Sequence, residues 1–239
     1  MFIDFPTGPN DKFDPSMLPP ADEIAAFFLE TYQGWAAWMY PQEYIQSLYK
    51  FARDNGALVC FDEVQSGFYR MGELYGYMTY GDNINPDLIC LGKGISSSVP
   101  MSAILGTKEI IDVDLNANLS GTHAGNTLGC AACLANINFL TNDEFQKELK
   151  KRIQAFEKRS RNLLNYGCVT NVNTRGMVAG IVFDTTERTN KIVNDCIENG
   201  VLPVCTFRES IKLGPPLTIP VEAINEAFDV IEDCIKKNI

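Results

Sequence analysis

Histidine is nearly absent: the 239 residues hold one, His123. A zinc site would therefore need cysteines, and of the eight present only Cys130 and Cys133 form a CxxC, with no second pair. That pair lies in an alanine-rich, helix-like run, so structural packing is expected there and no metal. Long hydrophobic runs are missing as well. No stretch reaches the roughly 18 consecutive apolar residues of a membrane-spanning helix, and no basic segment followed by an apolar one opens the chain. Neither a membrane partner nor a secretory signal is expected. Positive charge is short, with 20 Lys+Arg against 30 Asp+Glu and a formal charge of −10. That balance repels a phosphate backbone, so no nucleic-acid partner is expected. The expected setting is cytoplasmic, with the cysteines packed as small hydrophobes.

What is present is ordinary globular material, 46% hydrophobic and 21% charged. The proline-rich first 23 residues read as irregular chain, followed by an apolar strand at 24–29. Pro41 suits a helix start, Tyr44, Ile45, Leu48, Phe51 and Ala52 repeat at helical spacing, and Gly56 caps. Two continuous apolar runs, 57–61 and 88–91, mark strands buried on both faces, and 102–105 reads as a third short strand. Helix, buried strand and polar strand end together give an α/β pattern with a mostly parallel sheet. From Thr141-Asn-Asp-Glu144, which resembles a capping box, the texture changes. An amphipathic helix carries Phe145, Leu149, Ile153, Phe156 and Leu163, with its lysines and arginines mostly on a solvated face. A strand is expected at 176–183, a helix at 187–199, short strands near 201–205 and 210–213, and a last helix at 221–236. The boundaries drawn are 1–138 and 139–239, the second a small α+β domain.

Two polar residues stand just past the buried strands: Asp62 after Leu-Val-Cys-Phe, and Lys93 after Leu-Ile-Cys-Leu-Gly. In open parallel sheets the carboxyl ends of the strands face the ligand crevice. A lysine there can form a Schiff base with a carbonyl, and an aspartate suits the pyridine nitrogen of pyridoxal phosphate (PLP). On spacing alone, a buried Asp–Lys ion pair or two unrelated surface residues is the expected reading. A phosphate-binding Walker loop does not fit, because Asp87 and Gly94 stand where Gly and Ser or Thr are required.

Longer segments decide more. Phe61-Asp62-Glu63-Val64-Gln65-Ser66-Gly67-Phe68, Pro86-Asp87-Leu88-Ile89-Cys90-Leu91-Gly92-Lys93-Gly94, Pro100-Met101-Ser102-Ala103 and Gly121-Thr122-His123-Ala124-Gly125-Asn126-Thr127 resemble, in order and spacing, the landmarks of class III (ω- and ornithine-type) aminotransferases. Arg175-Gly176-Met177 and Gly214-Pro215-Pro216-Leu217-Thr218-Ile219 match two more. The resemblance implies a PLP-transferase of fold type I, here an incomplete large domain (1–138) followed by the small C-terminal domain (139–239). It implies that Lys93 holds PLP as a Schiff base and moves the substrate's α-proton. Asp62 pairs with the pyridine nitrogen, Gln65 bonds the phenolic oxygen, and Val64 is counted with them among the cofactor-binding residues. Thr122 reaches the phosphate of PLP in the partner subunit, so a homodimer with sites at the interface is implied. His123 is read as a structural neighbour of that threonine.

The resemblance covers only the second half of family members, whose first half carries the phosphate-cupping loop and the aromatic residue stacked on the ring. A fragment, one piece of a split enzyme and a truncated product are all open on this reading, and weak PLP binding by the chain alone is expected. Trp35 stands where ornithine-type members carry a Glu, and Lys212 where they carry the Arg that takes a substrate carboxylate. Lysine is a point charge without the planar fork, so such binding is looser. Trp35 either packs in the core or lines an apolar or sugar-facing wall. The expected activity moves an amino group between an amine or amino acid and an oxo acid, with a substrate other than ornithine. An aminomutase, epimerase or decarboxylase of the same family shares these motifs. A non-catalytic remnant or partner subunit is the alternative of another class.

Overall fold

The computed structural model describes residues 1–112 and 121–239. In chain order the elements are β1 (Ala26–Glu30), β2 (Tyr32–Gln33), β3 (Trp38–Met39), α1 (Gln42–Asp54), β4 (Leu58–Asp62), β5 (Leu88–Leu91), β6 (Ala103–Gly106), α2 (Lys108–Ile111) and α3 (Thr127–Leu140). After them come α4 (Asp143–Asn162), β7 (Val169–Arg175), β8 (Val178–Phe183), α5 (Thr186–Glu198), β9 (Val204–Cys205), β10 (Ser210–Leu213) and α6 (Val221–Lys237). They form two compact units. The first holds residues 1–31, 40–68 and 73–142, and the second holds 32–39, 69–72 and 143–239.

The first unit is built on a sheet ordered β1-β4-β5-β6. β1, β4 and β5 run parallel, while β6 returns antiparallel beside β5. Val59, Cys60 and Phe61 are all buried, as a continuous apolar run in a sheet covered on both faces requires. α1 follows Pro41 and buries Tyr44, Ile45, Leu48 and Ala52. Its chain then turns through Gly56 at φ 71°, a left-handed conformation that suits glycine. Asp87 ties three elements together. It takes a two-pronged bond from Arg53 Nη1 of α1 at 2.8 and 2.9 Å and accepts the Val59 amide of β4 at 2.7 Å, just before β5 begins.

The second unit carries an antiparallel sheet ordered β7-β8-β10-β9. Its core includes Phe156 of α4 and Phe228 of α6, edge to face at 5.6 Å. Arg159 on α4 bridges to Asp229 and Glu232 of α6 at 2.7 and 2.9 Å, and Arg152 reaches the Leu217 carbonyl at 3.3 Å. Two members of the basic run on α4 are therefore half-buried clamps, while the others lie on a solvated face as expected. Two glycines let backbones touch within this unit. A Cβ at Gly180 would meet the Ala36 carbonyl oxygen at 1.8 Å, and one at Gly176, where φ is 64°, would meet the Met71 carbonyl carbon at 2.4 Å.

Some expectations need correction. The strand expected from Gly176 begins at Val178, because Gly176 and Met177 make the turn between β7 and β8. β7 itself, Val-Thr-Asn-Val-Asn-Thr-Arg, gives no strand signal in the sequence: it is polar and half-buried, so it lacks the apolar pattern. Thr141 does not open a capping box. Its hydroxyl donates to the Ile137 carbonyl at 2.8 Å and it closes α3 instead. The β2–β3 hairpin escapes the sequence as well, because two-residue strands carry no periodicity. Among the described residues no helix is long and apolar enough to cross a membrane.

Gly180→Ala is expected to cost on the order of 3 kcal/mol of stability, since backbone cannot yield as a side chain does. Gly167→Ala, where an added Cβ meets nothing within 4 Å, should change stability by less than about 0.5 kcal/mol. Urea unfolding of the two variants checks the contrast.

Candidate active site

The parallel register places Asp62 of β4 opposite Cys90 of β5. The next amide along, that of Glu63, donates to the Cys90 carbonyl at 2.9 Å. Asp62 thus leaves the carboxyl end of one strand while Gly92-Lys93 leaves the carboxyl end of its neighbour. Asp62 is exposed and its Oδ1 accepts the Val64 amide at 2.9 Å, a local turn that aims the chain toward the half-buried Gln65. Among the described residues its Oδ2 accepts no hydrogen bond.

Lys93 is exposed and sits at φ 41°, in the left-handed region where a side chain is strained. Gly92 before it is buried, and a Cβ there would press on Val64 Cγ1 at 3.2 Å. The lysine loop therefore lies directly against the turn that follows Asp62. From the other side, Asn136 of α3 donates through Nδ2 to the Gly94 carbonyl at 2.7 Å. Lys93 lines a cavity of about 660 Å³ with Pro100, Met101, Ser102, His123 and Asn126. Thr122 is exposed in the turn that brings His123 to this wall, and Asn126 closes the turn by capping α3, its Oδ1 accepting the Gly129 amide at 2.9 Å.

Trp35 and Lys212 belong to the second unit. Lys212 Nζ donates to the Gly34 carbonyl at 2.5 Å, and the half-buried Trp35 ring lies under the Arg208 guanidinium at 4.7 Å. Lys212 therefore meets the backbone of the turn that carries Trp35.

Residues the sequence left without a role complete the picture. Glu63, at 0% exposure, accepts four hydrogen bonds: from Thr31 Oγ1 at 2.6 Å, Ser66 Oγ at 2.7 Å, the Gly76 amide at 2.8 Å and the Tyr77 amide at 2.7 Å. Burial raises the phenol pKa values of Tyr75 and Tyr77, and the nearby Glu63 charge adds to the effect. A second acid directly after Asp62, two residues past the apolar run that ends at Phe61, was the available signal. Arg70 of the second unit donates to the carbonyls of Met177 at 2.8 Å and Pro215 at 2.7 Å, joining two of the sequence landmarks, and burial lowers its pKa. Among the described residues no cluster of His, Cys, Asp and Glu can hold a metal ion.

Comparison with known proteins identifies the family and the fold. The family model "Aminotransferase class-III" matches residues 17–235. The chain is 31% identical over 229 residues to a 2-aminoadipate transaminase of Pseudomonas putida, covering 90% of this chain and 54% of that protein. It is 30% identical to an isoleucine 2-epimerase of Lentilactobacillus buchneri, covering 90% of this chain and 50% of that protein. Among solved structures, an ornithine aminotransferase from Plasmodium yoelii superposes with a TM-score of 0.80 at 30% identity, covering 90% of this chain and 57% of that one. The chain belongs to the class III aminotransferases, PLP-dependent enzymes, and has their type I fold. It spans about half the length of the curated relatives it matches.

The buried strand thiols give a direct check of this geometry. Cys60 and Cys90 sulfurs lie 3.6 Å apart, and burial pushes the Cys60 thiol up to about 12. Burial does the same to Cys196. A maleimide at pH 8 should label the exposed Cys130 in the native protein, while Cys60 and Cys196 react only after unfolding. Peptide mapping by mass spectrometry reads the pattern.

Proposed function

We propose that the protein to which this chain belongs transfers an amino group from an amine or amino acid to an oxo acid, with PLP held through Lys93. The observation that carries the reading is the pairing of β4 with β5. It sets an acid and a primary amine at adjacent strand ends, the amine opening on a cavity. Those groups fit the cofactor. Its aldehyde needs an amine, its pyridine nitrogen needs a carboxylate, and among the described residues Asp62 Oδ2 accepts no other bond. When bound, PLP supplies a ring that withdraws electrons from the substrate's α-carbon.

The chain's own residues do the rest. Lys93 Nζ would take the substrate's α-proton, and the left-handed backbone at Lys93 fixes where its side chain leaves the loop. Asp62 holds the proton on the ring nitrogen, Gln65 donates to the phenolic oxygen, and Val64 lies between them and the Lys93 loop. Thr122 gives its hydroxyl to the phosphate of the cofactor in a second copy, so a homodimer is part of the proposal. Exposed Leu128, Leu134 and Phe139 on α3, which follows Thr122 directly, support a covered interface there. Residues 1–138 then belong to the PLP-binding domain and 139–239 to the small domain, in a cytoplasmic enzyme.

For the substrate, Trp35 and Lys212 favour a bulky amine, an amino sugar or a hydrophobic amino acid over ornithine or 4-aminobutyrate. Lys212 is engaged with a carbonyl and offers no two-pronged fork for a carboxylate. A second reading, epimerisation within the same family, is favoured by the isoleucine 2-epimerase relative. Chiral product analysis separates the two, since epimerisation returns the inverted amine and no carbonyl product.

Assays of the complete chain with a panel of amines and pyruvate test the main reading. Stoichiometric appearance of alanine is expected, reduced by at least about a thousandfold in Lys93→Ala. Turnover that survives the substitution contradicts it. Lys212→Arg should raise kcat/KM for amino donors bearing a remote carboxylate by about tenfold, through the restored fork. An unchanged or lower value would remove Lys212 from the substrate site.

A further inference from the structure

Among the described residues Glu63 is the only carboxylic acid shut away from solvent, and it stands between two residues assigned to the cofactor, Asp62 and Gln65. No lysine or arginine pairs with it among those residues. An unpaired acid in an interior is costly unless hydrogen bonds satisfy it, so its retention needs a reason. Here every partner donates, and the donors are shared evenly. Oε1 takes the Thr31 hydroxyl and the Tyr77 amide, and Oε2 takes the Ser66 hydroxyl and the Gly76 amide.

The backbone of the same residue is fixed on both sides. Its amide donates to Cys90 of β5, and its carbonyl accepts the Gly67 amide at 2.9 Å. Successive side chains leave an extended chain on opposite sides. With Glu63 anchored inward, Asp62 is turned outward, where it is exposed. An apolar side chain would fill the same space without adding the directional bonds to two further segments, residue 31 and residues 76–77, that help set the rotation of the turn.

We infer that Glu63 is a positioning residue: its buried, four-donor carboxylate holds the 62–67 turn so that Asp62 and Gln65 meet the cofactor at the correct angle. This rests on the functional reading above, in which Asp62 and Gln65 bind PLP. Glu63 touches neither cofactor nor substrate and acts through its neighbours.

Glutamine keeps the shape and breaks the pattern. Each carboxylate oxygen of Glu63 accepts one backbone amide, so in Glu63→Gln either orientation of the side-chain amide sets an NH2 against an N–H that cannot turn away. Ser66→Ala is milder, removing one hydroxyl and leaving both amides satisfied. The test uses the complete chain and three readouts: thermal midpoint, PLP affinity by equilibrium dialysis, and the visible absorption band of the bound cofactor with its pH titration. In Glu63→Gln, PLP affinity should fall at least about fivefold and the band should shift. Ser66→Ala should move both in the same direction by less, and it carries the test if Glu63→Gln does not fold. Variants that melt earlier yet bind PLP with unchanged affinity, spectrum and pH titration would overturn the inference and make Glu63 a plain brace. A wild-type protein that fails to bind PLP would overturn the functional reading itself, and this inference with it.

Discussion

Parallel hydrogen bonding between β4 and β5 is the constraint on which the rest depends. Because the two strands run the same way and end together, their polar followers, Asp62 and Lys93, emerge on one edge of the sheet. An antiparallel pair would send them to opposite ends. The register is held from outside by Asp87, which binds α1 and the β4 amide at the mouth of β5, and from inside by the apolar run Val59-Cys60-Phe61. Past the strand ends, Gly92 allows the lysine loop to lie on Val64, and Asn136 holds that loop from α3. Packing thus brings the ends of the two strands, with Asp62 on one and the Gly92-Lys93 loop after the other, to the same edge of the sheet.

The sequence made the buried strands legible because a run such as Leu-Val-Cys-Phe has few other uses, and it made helices α1, α5 and α6 legible through their spacing. Class membership was legible too, since six separate segments kept the order and gaps of one family. What escaped was whatever lacked an apolar period. β7 is a row of Asn and Thr, β2 and β3 are two residues each, and Thr141 sits where it can close one helix or open the next. Motif residues also hid their partners. Nothing in Asp-Glu-Val-Gln says that Glu63 faces inward to four donors, because those donors lie 32 residues before it and 13 and 14 after it as well as at Ser66. Gly176 and Gly180 likewise reveal their need for glycine only when Met71 and Ala36 are seen against them.

Electrostatics in the two units serve different ends. In the first, acids are placed at strand ends: one outward and exposed, one inward and saturated. In the second, arginines dominate. Arg159 locks α4 to α6, Arg70 gathers the carbonyls of Met177 and Pro215, and Arg208 covers the Trp35 ring. An aromatic wall and a lysine held by a carbonyl are poor at orienting a carboxylate, which is why the substrate proposal moves away from ornithine although relatives and neighbours of that class share the fold.

The central claim is that Lys93 is the residue that captures the cofactor. Borohydride reduction of the complete chain in the presence of PLP, followed by peptide mapping, addresses it most directly. The account predicts a single stable adduct on the peptide carrying Lys93. An adduct on another lysine, or none in protein shown to be folded, would contradict it.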